Sequence, residues 1–150
     1  MGEIVYHLHQ NRASNREMNN VSDKYIQKFT VGNSESRTTP FSVEIVVTPE
    51  AIMKGLSGRE QLPVGHGMMF IFPEISKQSM WMPEMKFPLD IIWLNDEFKV
   101  VHITYNCKPC KSRSDCRSYS SEYQVKYAIE FTAGEANAYG FVIGTTLYPA

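Results

Sequence analysis

No run of about 18 apolar residues occurs in the chain, so no segment reads as a membrane-spanning helix. An excess of either charge is also missing: 15 Lys and Arg stand against 16 Asp and Glu, for a formal net charge of −1. Holding nucleic acid by bulk electrostatics needs a basic face, and the composition offers only the loop bearing Lys108, Lys111, Arg113 and Arg117. Charges crowded on one loop are more simply read as a solvated turn. No nucleic-acid partner and no membrane are therefore expected. Histidine is scarce, and His7, His9, His66 and His102 are scattered without a ligand motif. No Ser or Cys nucleophile has a His and an acid at a recognisable catalytic spacing. There is no internal repeat and no phosphate-cradling glycine motif. The first residues lack the basic and long apolar regions of a signal peptide, and Tyr6 sits where myristoylation requires Ser or Thr. The cytoplasm is the expected compartment.

What remains reads as β-structure. At 150 residues the chain is long enough for one domain that buries about two-thirds of its unfolded surface. Phe41, Val43, Ile45 and Val47 alternate with Ser42, Glu44 and Val46, the period of a half-buried strand. Thr48 then suits a helix cap, Pro49 the first helical position and Gly55 the left-handed residue past the end. Residues 89–94 and 99–105 flank Asn95-Asp96-Glu97-Phe98, which predicts a hairpin. Val125, Tyr127, Ile129 and Phe131 alternate with Lys126, Ala128 and Glu130, predicting another half-buried strand. Thr132-x-x-Glu135 has the form of a capping box, and Gly140 can stop the helix it opens. The order predicts an all-β fold, a compact antiparallel β-barrel or sandwich with two short helices. Residues 1–40 are expected as an N-terminal arm with room for a first strand, and residues 41–150 as a single β-barrel domain. Residues 10–20 are polar, with no apolar period, whereas Ile4, Val5, Tyr6 and Leu8 cluster at the extreme end. That layout suits an arm docking on another subunit of a larger assembly.

The block Trp81-Met82-Pro83-Glu84-Met85-Lys86-Phe87-Pro88-Leu89-Asp90 followed by Ile91-Ile92-Trp93-Leu94 carries a further signal. Its Trp-Met pair, Pro-Leu-Asp turn and apolar strand resemble the core of the domain of unknown function 192 family. Val43-Glu44-Ile45, Thr48-Pro49-Glu50 and Gly55-Leu56-Ser57-Gly58-Arg59 are similar to that family's opening strand, turn and helix. Gly67-Met68-Met69-Phe70 resembles its glycine-led buried strand. Cys110, Cys116 and Tyr119 resemble its Cys-then-Cys-x-x-Tyr loop, and Tyr127-Ala128-Ile129-Glu130 its closing segment. The resemblance spans about residues 41–147 and implies a compact β-barrel-like domain. One departure is visible: Pro83-Glu84 stands where the family usually has Lys-Asn.

Three constellations could carry chemistry. Cys107, Cys110 and Cys116 with His102 could supply four zinc ligands, but only one Cys-x-x-Cys is present. Cys110 and Cys116 match the family's pair, so the resemblance implies they could join as a disulfide. In a reducing cytoplasm three reduced, inert thiols are expected instead. Met80, Met82 and Met85 around Trp81 offer soft ligands for Cu(I), yet methionine beside aromatics is ordinarily core filler. No metal or other cofactor is expected. Glu84 and Asp90 could share a proton as an acid-base pair, although Asp90 could equally accept backbone amides in a turn. The leading expectation is a non-enzymatic binding or accessory domain that engages a protein or small ligand. Its surface is expected around Trp81, Met82, Glu84 and Tyr119. The alternative is an acid-base hydrolase using Glu84 and Asp90.

Overall fold

In the computed structural model, which describes residues 25–150, these patterns resolve into seven strands and two short helices. Strands β1 (Ile26–Gly32) and β2 (Phe41–Val46) lead into helix α1 (Pro49–Lys54). Strands β3 (His66–Trp81), β4 (Leu89–Leu94) and β5 (Val100–Cys107) follow. A 3-10 turn at Arg113–Asp115 precedes β6 (Ser118–Thr132), helix α2 (Glu135–Ala138) and β7 (Thr146–Pro149). The fold is all-β. The sheet order is β5-β4-β6-β3-β2-β1-β7, antiparallel throughout except for the β2–β3 pair, which is parallel. Parallel neighbours need a crossover, and α1 with the loop after it supplies one. The sheet curls until its two ends meet: Val100 N donates to Thr145 O at 2.8 Å, and Leu147 N to Phe98 O at 2.9 Å.

The predicted turns form for the expected reasons. Thr48 Oγ1 accepts the Ala51 amide at 3.2 Å and Pro49 opens α1, while Gly55 closes it at φ +49° and ψ −129°, a positive-φ conformation other than the left-handed helical one expected. In the β4–β5 hairpin, Asn95 Oδ1 accepts the amides of Glu97 and Lys99, both at 3.0 Å. The Thr132–Glu135 capping box does not form. Thr132 is still the last residue of β6, α2 begins after Gly134, and no side chain of its own turn caps it. Glu135 instead reaches across the molecule, its Oε1 accepting the Gly65 amide at 2.9 Å.

Two apolar layers sandwich the sheet. Inside the curl, Phe29, Phe41, Met69, Ile92, Ile129, Phe131, Phe141 and Leu147 pack together. On the opposite face, Met68, Phe70, Phe72, Ile91, Trp93 and Ala128 are covered by Leu56 after α1 and by Met82 and Met85 after β3. The central strands are thus buried on both sides; all six residues of β4 are buried. Glu130 of β6 lies between Met68 of β3 and Ile91 of β4 in that sheet.

Candidate functional site

Between α1 and the second half of β3 the outer apolar layer opens into a cleft of about 470 Å³. Strand β3 is irregular between Ile71 and Ser76, and beyond that irregularity it carries Met80 and Trp81 along the cleft wall. Phe70 and Phe72, with rings 6.5 Å apart and nearly parallel, form its floor, together with Met82 and Met85. Trp81 is 49% exposed at this cleft, whereas Met82 is 1% exposed.

Glu130 also lines the cleft and is only 6% exposed. Burial pushes its carboxyl up to about 8, and no neighbouring cation or hydrogen-bond donor counters that burial. Near neutral pH it is therefore mainly a protonated acid, able to donate a hydrogen bond into an apolar hollow. Gly55 lies above it: a Cβ built there would come 3.9 Å from Glu130 Oε2 and 3.4 Å from the Phe70 ring. The missing side chain keeps the end of α1 off the carboxyl. Strand alternation placed Glu130 with Lys126 on a polar face, and that reading missed it. The available signal was an acid in the otherwise apolar run Tyr127-Ala128-Ile129-Glu130-Phe131.

The surface expected from sequence divides. Trp81 and Met82 line the cleft; Glu84 and Tyr119 do not. Glu84 lies on the exposed turn after Met82, its Oε1 3.4 Å from Arg113, with backbone at φ +58°. Tyr119 pairs with Met80 across β3 and β6, and the Arg117 guanidinium lies 5.4 Å from its ring centroid.

Asp90, 1% exposed, has its carboxylate fully engaged. Oδ1 accepts the Asn106 amide at 2.9 Å, while Oδ2 accepts Gly134 at 2.8 Å and Ala136 at 3.2 Å. It thus caps α2 from a neighbouring strand and ties α2 to the end of β5. A shared-proton pair of Glu84 and Asp90 would need both in one concave site with a carboxylate to spare. One is exposed and the other is consumed by amides, and neither lines the cleft.

The cysteine expectation needs correction. Cys110 and Cys116 form a disulfide with their Cα atoms 4.9 Å apart, so they are not reduced thiols and cannot act as thiolate ligands. Cys107 is a buried free thiol, pushed up to about 12 mainly by burial, with the charge of Asp90 adding to it. His102 stands on β5 with its ring 6.4 Å from that of Tyr123. Among the described residues no group of three or more His, Cys, Asp or Glu could hold a metal ion. No helix among them is long and apolar enough to cross a membrane.

The family model described as DUF192, Uncharacterized ACR, matches residues 30–148. Among solved structures, one similar to this chain comes from Sinorhizobium meliloti 1021 and has been provisionally described as a transcription regulator. The two share 27% identity and a TM-score of 0.77, covering 87% of this chain and 98% of that one. A protein of unknown function from Novosphingobium aromaticivorans DSM 12444 shares 27% identity at a TM-score of 0.74, covering 85% of this chain and 87% of that one. No curated protein matches.

Proposed function

Because the chain belongs to the DUF192 family, whose description assigns no activity, we propose its function from its own geometry: a binding domain that takes a small, largely apolar ligand in the cleft beside α1. The observation that carries this reading is the lining. Phe70, Phe72, Met80, Met82, Met85 and Trp81 surround a hollow with one buried acid at its base. Apolar clefts of several hundred Å³ with few convergent polar groups are the usual form of a small-molecule site. Methionine suits such a lining because its unbranched thioether repacks around ligands of different shape. The half-exposed Trp81 offers a rigid apolar wall at the opening.

Titration with a neutral, environment-sensitive dye such as Nile red tests this. The expected result is saturable one-to-one binding with a blue-shifted emission. Ile52→Trp, which places an indole against the cleft from α1, should abolish it while leaving the melting temperature within about 3 °C. Non-saturable binding, or equal binding by the filled variant, would overturn the reading.

A further inference from the structure

Lys54 and Glu130 are the only ionisable residues lining the cleft among the described residues, and they differ sharply in placement. Lys54 ends α1 at the surface, where its ammonium remains in water. Glu130 sits at the base, buried among apolar groups with nothing in the protein to offset that burial. A carboxylate among apolar groups is unfavourable unless an opposite charge or a hydrogen-bond donor meets it.

We propose that the cleft binds a protonated apolar amine, its ammonium head on the Glu130 carboxylate and its alkyl or aryl tail against Phe70, Phe72 and the methionines. This rests on the small-ligand reading above and names the class of ligand. The groups around the acid favour a cation. The ring faces of Phe70 and Phe72 and the indole of Trp81 carry the negative pole of the aromatic quadrupole. The thioethers of Met80, Met82 and Met85 are polarisable and offer electron pairs rather than protons. Gly55 leaves the approach to Oε2 clear of a side chain. A ligand carboxylate would find no cation at the base of the cleft, because Lys54, the one cation in the lining among the described residues, stays in water at its edge.

Other charges around the site leave Glu130 as the group that responds. Met68 on β3 and Ile91 on β4 flank it and carry none. The Cys107 thiol on β5, which feels Glu130, stays neutral because it is held up to about 12. Arg59 is bidentate with Glu44 at 2.7 and 2.8 Å, in the adjoining hollow below α1. Amine binding at pH 7 thus expels one proton, from the Glu130 carboxyl to solvent, while the ligand keeps its own.

Isothermal titration of the full chain with octylamine, octanol and octanoate, in two buffers of different ionisation enthalpy, tests the proposal. Octylamine should bind at least about tenfold tighter than octanol and release about one proton at pH 7. Between pH 7 and pH 8 its affinity should rise several-fold as Glu130 loses its proton unaided. Glu130→Gln should remove both the amine preference and the proton release while keeping octanol binding. Octanol or octanoate binding as tightly as octylamine, or octylamine binding with no proton release, overturns the amine assignment and leaves the small-ligand reading standing. No saturable binding of any of the three overturns both. The proton count is made on the unaltered protein, so it decides the matter even if Glu130→Gln does not fold.

Discussion

Three carboxylates show how environment assigns roles to one functional group. Asp90 is buried but satisfied, and its partners lie 16, 44 and 46 residues away in the chain. An amide-accepting Asp was legible in Pro88-Leu89-Asp90; which amides it accepts was not, because they belong to segments brought in only by the fold. Asp90→Ala orphans three amides, and a loss of about 3 kcal/mol or more is expected, read as a lower urea midpoint at unchanged m-value. Glu84 is exposed, and its left-handed φ of +58° is a conformation that Asn tolerates better than Glu. This gives a backbone reason for Asn in the family's usual Lys-Asn pair. Glu84→Asn should therefore stabilise the protein by about 0.5 kcal/mol, the 3.4 Å contact with Arg113 being too exposed to matter. Glu130 is buried among apolar side chains and lines the cleft. Its folded value of about 8 lies above the ordinary carboxylate range, so between about pH 4 and 8 the native state holds a proton that the unfolded chain has lost. Stability from this group is therefore full at low pH, falls as pH rises through that window, and levels off above about 8. Urea midpoints at pH 5, 6.5 and 8 should decline in the natural protein and lose most of that slope in Glu130→Gln.

At the scale of elements, what was legible depended on how local the cause was. The cap and proline of α1 and the Asn95 turn of the β4–β5 hairpin act within a few residues, and both form as predicted. The capping box at Thr132–Glu135 was misleading because Asp90, distant in sequence, already occupies the amides at the start of α2. Period-two alternation described β6 only partly. Residues Tyr127 through Phe131 are all buried, since a second apolar layer covers the outer face, and that layer hid Glu130 among residues taken as solvent-facing. The Cys110–Cys116 pairing was implied by the family resemblance and set aside on the expectation of a reducing compartment, and that expectation misjudged it. The bridge closes a loop across a sequence separation of 6, and Cys110 N donates to Met82 O at 3.2 Å, fastening that loop to the cleft wall. Closing so short a loop contributes about 2 kcal/mol in the chain-entropy account. Reduction with dithiothreitol should lower the melting temperature by several degrees in scanning calorimetry. No change would mean that the loop is held by its packing alone.

The whole molecule is a sheet whose ends meet at one corner. Strands β5 and β7 are joined by the Lys99–Thr146 bridge and the bonds around Val100, and past that point β5 is an edge of the sheet among the described residues. The family model begins at residue 30, inside β1, and β1 is paired on both sides, with β2 and with β7. β1 lies within residues 1–40, where the sequence left room for a first strand, and the sheet runs from Ile26 to Pro149. The arm read from residues 1–20 lies outside the described residues. Its sequence carries the apolar cluster Ile4, Val5, Tyr6 and Leu8, and among the described residues the outer side of β5 from Val101 to Cys107 has no partner strand. We expect the arm of one copy to dock there on another, which would make the barrel one component of an assembly. Deleting residues 1–20 removes none of the seven strands, so the truncated chain should melt within about 2 °C of the full one at concentrations where both are monomeric. Light scattering after size-exclusion chromatography should then show association in the full chain and its loss in the truncated one. A drop of several degrees in the truncated monomer would mean instead that the arm folds back on its own sheet, and the docking model would be abandoned.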